Sequence, residues 1–344
     1  MIAQEPRLFA RFLGLAAPLA SFLACPAAFA SNPLPGDAVA PPSNINIALY
    51  YNEFTDSGAM GTVQGVSYAK NTHISADIQI ARYVRTFTID GVLSGVQAYI
   101  PYVSFLGGQE AGIPQAGPFG PGHASLSHSD GFGQPVLGVF AYPLSLPATG
   151  TSLVVGPWVT LPLGTSRKTA DLTPGPNVWS FDPEAGFRTT LLGSPTGRNL
   201  ALEVWGSAYF FSADKNASAN APAIYANSLR AAFNPIQAAT SAPATFHEQP
   251  SEELRIYLPY EIFPKSDAFI APGFYQSFGG KQTYRLSNGA TEDTGIRTNE
   301  TQLRLIASTY LTPHFAVMAI AEYDLAAHGA PLSRNLELRL GTLF

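Results

Sequence analysis

Eight charged side chains in the C-terminal half of the chain stand where a charge needs a reason. Glu203, Arg255, Glu261, Glu300, Arg304, Glu322, Glu337 and Arg339 each lie in an alternating segment, on the face opposite a row of aliphatic residues. Trp205, Tyr209 and Tyr257 share that face. Carboxylates, guanidiniums and aromatic rings in one enclosed space can do two things. They can pair across it and fill it, or they can line a polar path that offers ring faces to an apolar solute. Both are expected here. Chemistry of other kinds has less support. There is no G-x-S-x-G elbow, no Gly-rich phosphate loop opening a helix and no H-E-x-x-H. His123 and His128 lie near Asp130 in "GHASLSHSDG". Those types could ligate a metal, but nothing in a Gly/Ser loop fixes their geometry, so a plain surface loop is expected. The expectation is a protein with no catalytic residue, no metal and no cofactor.

The elements that would position these side chains are strands. In "NLALEVWGSAYFF" (199–211), Leu200, Leu202, Val204, Ala208 and Phe210 alternate with Glu203, Trp205, Ser207 and Tyr209. "ELRIYLPYEIF" (253–263) and "ETQLRLIASTYL" (300–311) repeat the pattern. Each is about ten residues, the length a tilted strand needs to cross a bilayer. Further strands are expected near 44–54, 75–88, 93–105, 133–143, 151–161, 178–190, 266–277, 314–324 and 334–344. That makes about twelve, an even number as bacterial single-chain barrels use.

Connections give a second signal. Short ones are expected near 89–92, 144–150, 191–198, 264–265 and 312–313. Long ones are expected near 55–74, 106–132, 162–177, 212–251, 278–299 and 325–333. They alternate, as short periplasmic turns and long external loops do in outer-membrane barrels. The Ala/Asn/Ser-rich loop 212–251 reads as a mobile external loop, or as a segment folding over the pore. The stretch 55–74 has room for an extra strand. One strand resists the scheme. In "DIQIARYVRTFTI" (77–89), Arg82 shares its parity with Ile78, Ile80 and Val84. On a lipid face at mid-bilayer an Arg costs about 2–4 kcal/mol, so a bulge or snorkelling is needed.

Composition points the same way. Only 12% of the 344 residues are charged, against about 25% in soluble chains. Aromatics reach 12%, with no apolar run long enough for a membrane helix after residue 30. The net charge is -5, which argues against nucleic acid as a partner. At the start, Arg7 and Arg11 precede the apolar "FLGLAAPLASFLA" (12–24) and the small-x-small "AFA" (28–30). This predicts a cleaved signal over 1–30. The only cysteine, Cys25, would leave with it. Residues 31–43, "SNPLPGDAVAPPS", read as a flexible Pro-rich leader, and 44–344 as one barrel domain.

The order of several motifs carries a family resemblance. Pro162-x-Gly164 closes a strand, a polar loop follows, and Asn177-x-Trp179 opens the next strand. "ARYVRTFTIDGVLSGVQAYIPYVSF" (81–105) precedes them and "EVWGSAYFFSADKN" (203–216) follows. Together they resemble the MetA-pathway of phenol degradation family of outer-membrane transporters, over most of residues 75–344. The resemblance implies a channel-forming barrel associated with degradation of aromatic or other hydrophobic compounds.

The combined expectation is an all-β, transmembrane, antiparallel up-and-down barrel in the bacterial outer membrane. Its partners would be outer-membrane lipid, the barrel assembly machinery and small hydrophobic solutes crossing passively. A non-transporting structural or ligand-binding barrel is the alternative, then a barrel hydrolase, then a soluble sandwich. Tyr260, Tyr323 and Phe344 fall on the outward parity near strand ends, where interfacial aromatic girdles form. The chain's ending, "RNLELRLGTLF" (334–344), reads as the closing strand, with Phe344 an assembly signal at the periplasmic rim.

Overall fold

The computed structural model describes residues 32–60, 62–63, 66–67, 73–113, 122–125, 127–165, 172–175, 178–218, 243–263, 268–286, 289–293 and 297–344. The expected signal over 1–30 lies outside the described residues. Twelve long strands form the barrel wall. They are β1 (Asn46–Met60), β2 (His73–Ile89), β3 (Val92–Ile113), β4 (Val136–Leu146), β5 (Thr151–Thr160) and β6 (Ser180–Gly193). Next come β7 (Asn199–Phe211), β8 (Ser251–Tyr257, resuming at Tyr260–Glu261), β9 (Phe269–Phe278), β10 (Asn299–Thr312), β11 (Phe315–His328) and β12 (Pro331–Leu343). Each pairs antiparallel with the next, and β12 pairs with β1 from Leu343↔Ile47 to Pro331↔Met60, so the sheet closes. Closure leaves no unpaired edge, which is the condition for a sheet to span lipid.

Burial alternates along the strands as a barrel requires. In β7 the buried residues are Asn199, Ala201, Glu203, Trp205, Ser207 and Tyr209, while Phe210 is exposed on the outside. The outer wall carries exposed Leu303, Leu305, Leu336 and Leu338, with Tyr260 and Tyr323. That is a lipid-facing belt.

Three expectations need correction. On β2 the face with Ile78, Ile80, Arg82 and Val84 is the lumen face: Ile78 is fully buried, while Ala81 and Tyr83 on the other face are exposed. Arg82 therefore needs neither bulge nor snorkelling. The sixth long connection, near 325–333, is absent. β11 and β12 run further than expected and join through a two-residue turn at Gly329–Ala330, with Gly329 at φ 67°, a conformation glycine adopts without strain. The third correction concerns the Pro-rich leader. Residues 32–43 are packed inside the barrel, with Leu34 and Ala38 fully buried in its core. The leader enters at the end where the two termini meet, Asn46 N donating to Phe344 O at 2.8 Å. Short turns mark that end as periplasmic.

Beyond the wall, Asp214–Ser218, Pro243–Glu248, Gln282–Leu286 and Thr291–Asp293 form a separate four-stranded sheet. It holds a small cluster of Ala244, Tyr284, Phe246 and Leu286. The ends of the 212–251 loop are thus structured; residues 219–242 lie outside the described residues. Within 55–74 the two short strands Thr62–Val63 and Val66–Ser67 pair with each other. Over the outer mouth, Leu172 is fully buried and exchanges backbone hydrogen bonds with Ser127 and Ser129. The described loop segments 127–135, 161–165 and 172–175 therefore roof part of the lumen.

Candidate functional site

The site is the lumen, and the wall is built to receive the leader. Large inward rings sit directly across from inward glycines on the neighbouring strand: Phe140 from Gly95, Trp158 from Gly138, Trp205 from Gly186, Tyr257 from Gly273. A Cβ on Gly138 would lie 2.1 Å from the Trp158 ring, and one on Gly186 2.5 Å from the Trp205 ring. The rings lie flat in the gaps the glycines leave. This keeps the middle of the lumen clear and restores the cross-strand contacts a bare glycine loses.

Into that space the leader brings a tight turn, with Asp37 N donating to Leu34 O at 2.9 Å and Val39 N to Gly36 O at 3.0 Å. Wall side chains satisfy its remaining polar groups. Glu203, fully buried, accepts from Gly36 N at 3.0 Å and Ala38 N at 3.3 Å. It also accepts from Trp205 Nε1 at 2.9 Å and Arg188 Nη1 at 3.2 Å. Asp37 accepts from Arg339 Nη2 at 2.9 Å and lies 3.6 Å from Arg82 Nη1. Burial pushes the Asp37 carboxyl up, but Arg339 and Arg82 more than reverse this and hold it below the usual carboxylate range. Tyr142 Oη donates to Asp37 O at 2.9 Å, Ser152 Oγ to Ala38 O at 2.6 Å and Tyr257 Oη to Pro33 O at 3.1 Å. Arg304 Nη1 donates to Asn32 Oδ1 at 3.0 Å. Seven strands hold the leader, and nearly every contact is to a buried wall group, so it packs as part of the lumen.

A cavity of about 410 Å³ remains between leader and wall. Tyr99, Phe140, Trp158 and Met318 give it ring and thioether faces, and Arg82 and Arg188 border it. Arg82 is itself clamped, donating to Tyr51 Oη at 2.9 Å and Gln97 Oε1 at 2.6 Å, over the Tyr99 ring at 4.7 Å. The volume lies within the range of small-molecule sites, about 300–1,000 Å³.

The outer half of the lumen is a polar network. Arg255 pairs with Glu253 and lies 3.8 Å from Glu184 and over the Tyr275 ring at 5.4 Å. Tyr209 and Tyr275 both donate to Glu253, at 3.1 Å and 2.8 Å. Arg304 Nε is 3.1 Å from Glu322 Oε1. On the periplasmic side, Arg188, which also holds Glu203, has its Nη2 3.6 Å from Glu261 Oε1.

Tyr260 and Tyr323 are exposed on the outer wall, and the eleven charged and aromatic residues placed on the inner parity point into the lumen. They form two groups. Glu203, Trp205, Tyr257, Glu261, Arg304 and Arg339 surround the leader or its ion pairs, while Tyr209, Arg255, Glu300, Glu322 and Glu337 lie toward the outer mouth. Phe344 is outside, 66% exposed at the periplasmic rim. His128 Nδ1 lies 3.2 Å from Asp130 Oδ1, and no cluster of metal-ligating side chains occurs among the described residues. Sequence reasoning missed Asp37, Tyr51, Glu53, Tyr99, Trp158, Glu184, Arg188 and Glu253. Parity alone carries such residues only once a strand's inward face is known, and Arg82 had pointed to the wrong face for β2. For Asp37 a signal existed: an acidic residue inside a Pro-rich apolar run.

Comparison with solved structures gives the same architecture. The COG4313 outer membrane channel from Pseudomonas putida F1 aligns at a TM-score of 0.69 with 18% identity, covering 91% of this chain and 100% of that one. The transport unit of the autotransporter AIDA-I from Escherichia coli (TM-score 0.41, 8% identity, 91% and 92% covered) and a Pseudomonas aeruginosa FadL homologue (0.38, 9%, 95% and 98%) also match, more distantly. No curated protein matches the sequence. A family model does, over residues 52–233, more than half of the chain. The closed twelve-stranded barrel and the match agree: the chain belongs to the family described as "Putative MetA-pathway of phenol degradation".

Proposed function

We propose that this barrel lets small apolar or aromatic compounds cross the outer membrane passively, through a lumen whose periplasmic half is closed by its own leader. The observation that carries the reading is the ring-faced cavity of about 410 Å³ beside the leader. A solute resting there has aromatic faces on the wall and needs only local movement of residues 32–43 to reach the periplasm. The family's link to phenol degradation supports the solute class. The reading assigns no catalytic step: the wall supplies a path and the concentration gradient supplies the drive. The charged and aromatic residues of the lumen act as wall lining and as anchors for the leader.

The density of leader contacts favours a second reading, a barrel permanently sealed and serving a structural or ligand-binding role. Planar-bilayer recording of the full-length protein separates the two. Discrete openings that become more frequent in Asp37→Asn support passage. Silence from both the native protein and the variant supports the sealed barrel.

A further inference from the structure

Outward of the leader, the lumen carries negative charge that its own cations do not neutralise. Glu53 on β1 stands directly opposite Glu337 on β12. Both face the lumen, 5% and 6% exposed. Glu322 on β11 is the diagonal neighbour of Glu337, directly opposite Asn335. Asp324 follows on the same face, and Glu300 on β10 is 9% exposed. The arginines nearby are committed elsewhere. Arg304 lies against Glu322, Arg339 against Asp37, and Arg255 against Glu253 and Glu184. Among the described residues no ion pair reaches Glu53, Glu300 or Glu337. Glu337 Oε1 is moreover buried with no hydrogen-bond partner. Directly opposed like charges weaken a strand pair, and a buried carboxylate without a counter-charge is costly. Glu322 and Asp324, by contrast, each have a donor: Asn335 Nδ2 at 2.9 Å and Ser333 N at 2.7 Å.

We infer that the outer half of the lumen is a cation-binding site, centred between Glu53 and Glu337 with Glu300 reinforcing its field. No three carboxylates among the described residues converge closely enough to hold a bare metal ion. The ligand is therefore a cation that keeps part of its water, or one that brings N–H donors, such as an alkylammonium group. Held there, it satisfies the free Glu337 oxygen and relieves the Glu53–Glu337 repulsion. The same field favours neutral and cationic solutes over anionic ones at the outer mouth.

Binding can be read without transport, so failure here leaves the channel reading standing, and the reverse. The full-length protein is folded in detergent and its thermal midpoint followed in calcium chloride, ethylammonium chloride and sodium chloride at matched ionic strength. A ligand that binds only the folded barrel raises the midpoint with concentration. The expected result is a rise with calcium, ethylammonium or both, beyond that with sodium chloride. A rise with calcium alone assigns a hydrated metal ion, and with ethylammonium alone an organic cation. In Glu53→Gln/Glu337→Gln the apparent affinity should fall by about tenfold or more, while Glu252→Gln on the outer wall should keep it. Removing two opposed charges leaves the strand pair intact, and infrared spectroscopy of the native protein and the double variant supplies a readout independent of affinity. An equal response in the double variant, no response in the native protein, or a protonated carboxyl band that vanishes in the double variant would overturn the inference. The last result would mean that the pair holds a proton in place of a cation.

Discussion

Asp37→Asn tests the leader's place in the lumen at its strongest point. The carboxylate lies 2.9 Å from Arg339 Nη2 and 3.6 Å from Arg82 Nη1, and its Oδ2 accepts from Leu34 N at 3.2 Å. The carboxamide keeps the shape but leaves two buried guanidiniums facing each other without their anion. Breaking a buried pair in this way costs about 3–5 kcal/mol. At about 1.4 kcal/mol per tenfold, the undocked fraction of the leader should rise by about a hundredfold to several thousandfold. Ala38, fully buried beside Asp37, is the reporter. With Cys25 replaced, Ala38→Cys should resist a membrane-impermeant thiol reagent, and adding Asp37→Asn should raise its modification rate by the same factor. The rate in unfolded protein corrects for intrinsic reactivity. The sign of the pH effect follows from the depressed carboxyl. A group held below its unfolded value contributes stability at all pH above that value and loses it only as pH falls through the folded one. Lowering the pH from about 7 to 5 should therefore release little leader through Asp37. An unchanged modification rate in the double variant would mean that the Asp37 carboxylate does not hold the leader in the lumen.

Three further outcomes follow from other parts of the fold. Gly138→Ala should push the Trp158 ring off the wall, since the new Cβ would lie 2.1 Å from it; overpacking of about 1–3 kcal/mol should appear as a lower thermal midpoint and altered tryptophan fluorescence. On the external sheet, burial pushes Glu248 up to about 7 against a smaller opposing effect of its hydrogen bond from Gln282. An acid raised in the folded state gives stability at low pH that is lost as pH rises, so amide protection over 244–248 and 282–286 should fall between about pH 5 and 8, and Glu248→Gln should remove the fall. Deleting Phe344, whose N–H and C=O pair with Asn46 at the closing seam, should reduce assembled barrel in the outer membrane while the chain is still exported; normal assembly would count against its role as a signal.

The wall was legible in the sequence because lipid imposes a simple rule. Leu200, Leu202 and Val204 on one parity and Glu203 and Trp205 on the other leave one way to orient β7. The rule failed on β2, where Ile78 and Ile80 face inward because the leader's Leu34 and Ala38 give the lumen an apolar core there. Two apolar surroundings, lipid and leader, write the same pattern into a strand. The leader itself was illegible for a related reason. A short Pro-rich run has no periodicity, and what orders it is Glu203 and Asp37's guanidinium partners, up to about three hundred residues away in sequence. The Gly–aromatic pairs required the cross-strand register, which no single segment contains.

Passage of small aromatic compounds through a lumen gated by its own leader should show in the rate at which a monocyclic aromatic compound enters cells whose outer membrane carries lipopolysaccharide, read from its consumption inside. Cells without the protein, with it, and with Asp37→Asn are compared at equal barrel abundance. Entry should be faster with the protein and faster again with the variant; equal rates in all three would mean that the leader-gated lumen is not the route.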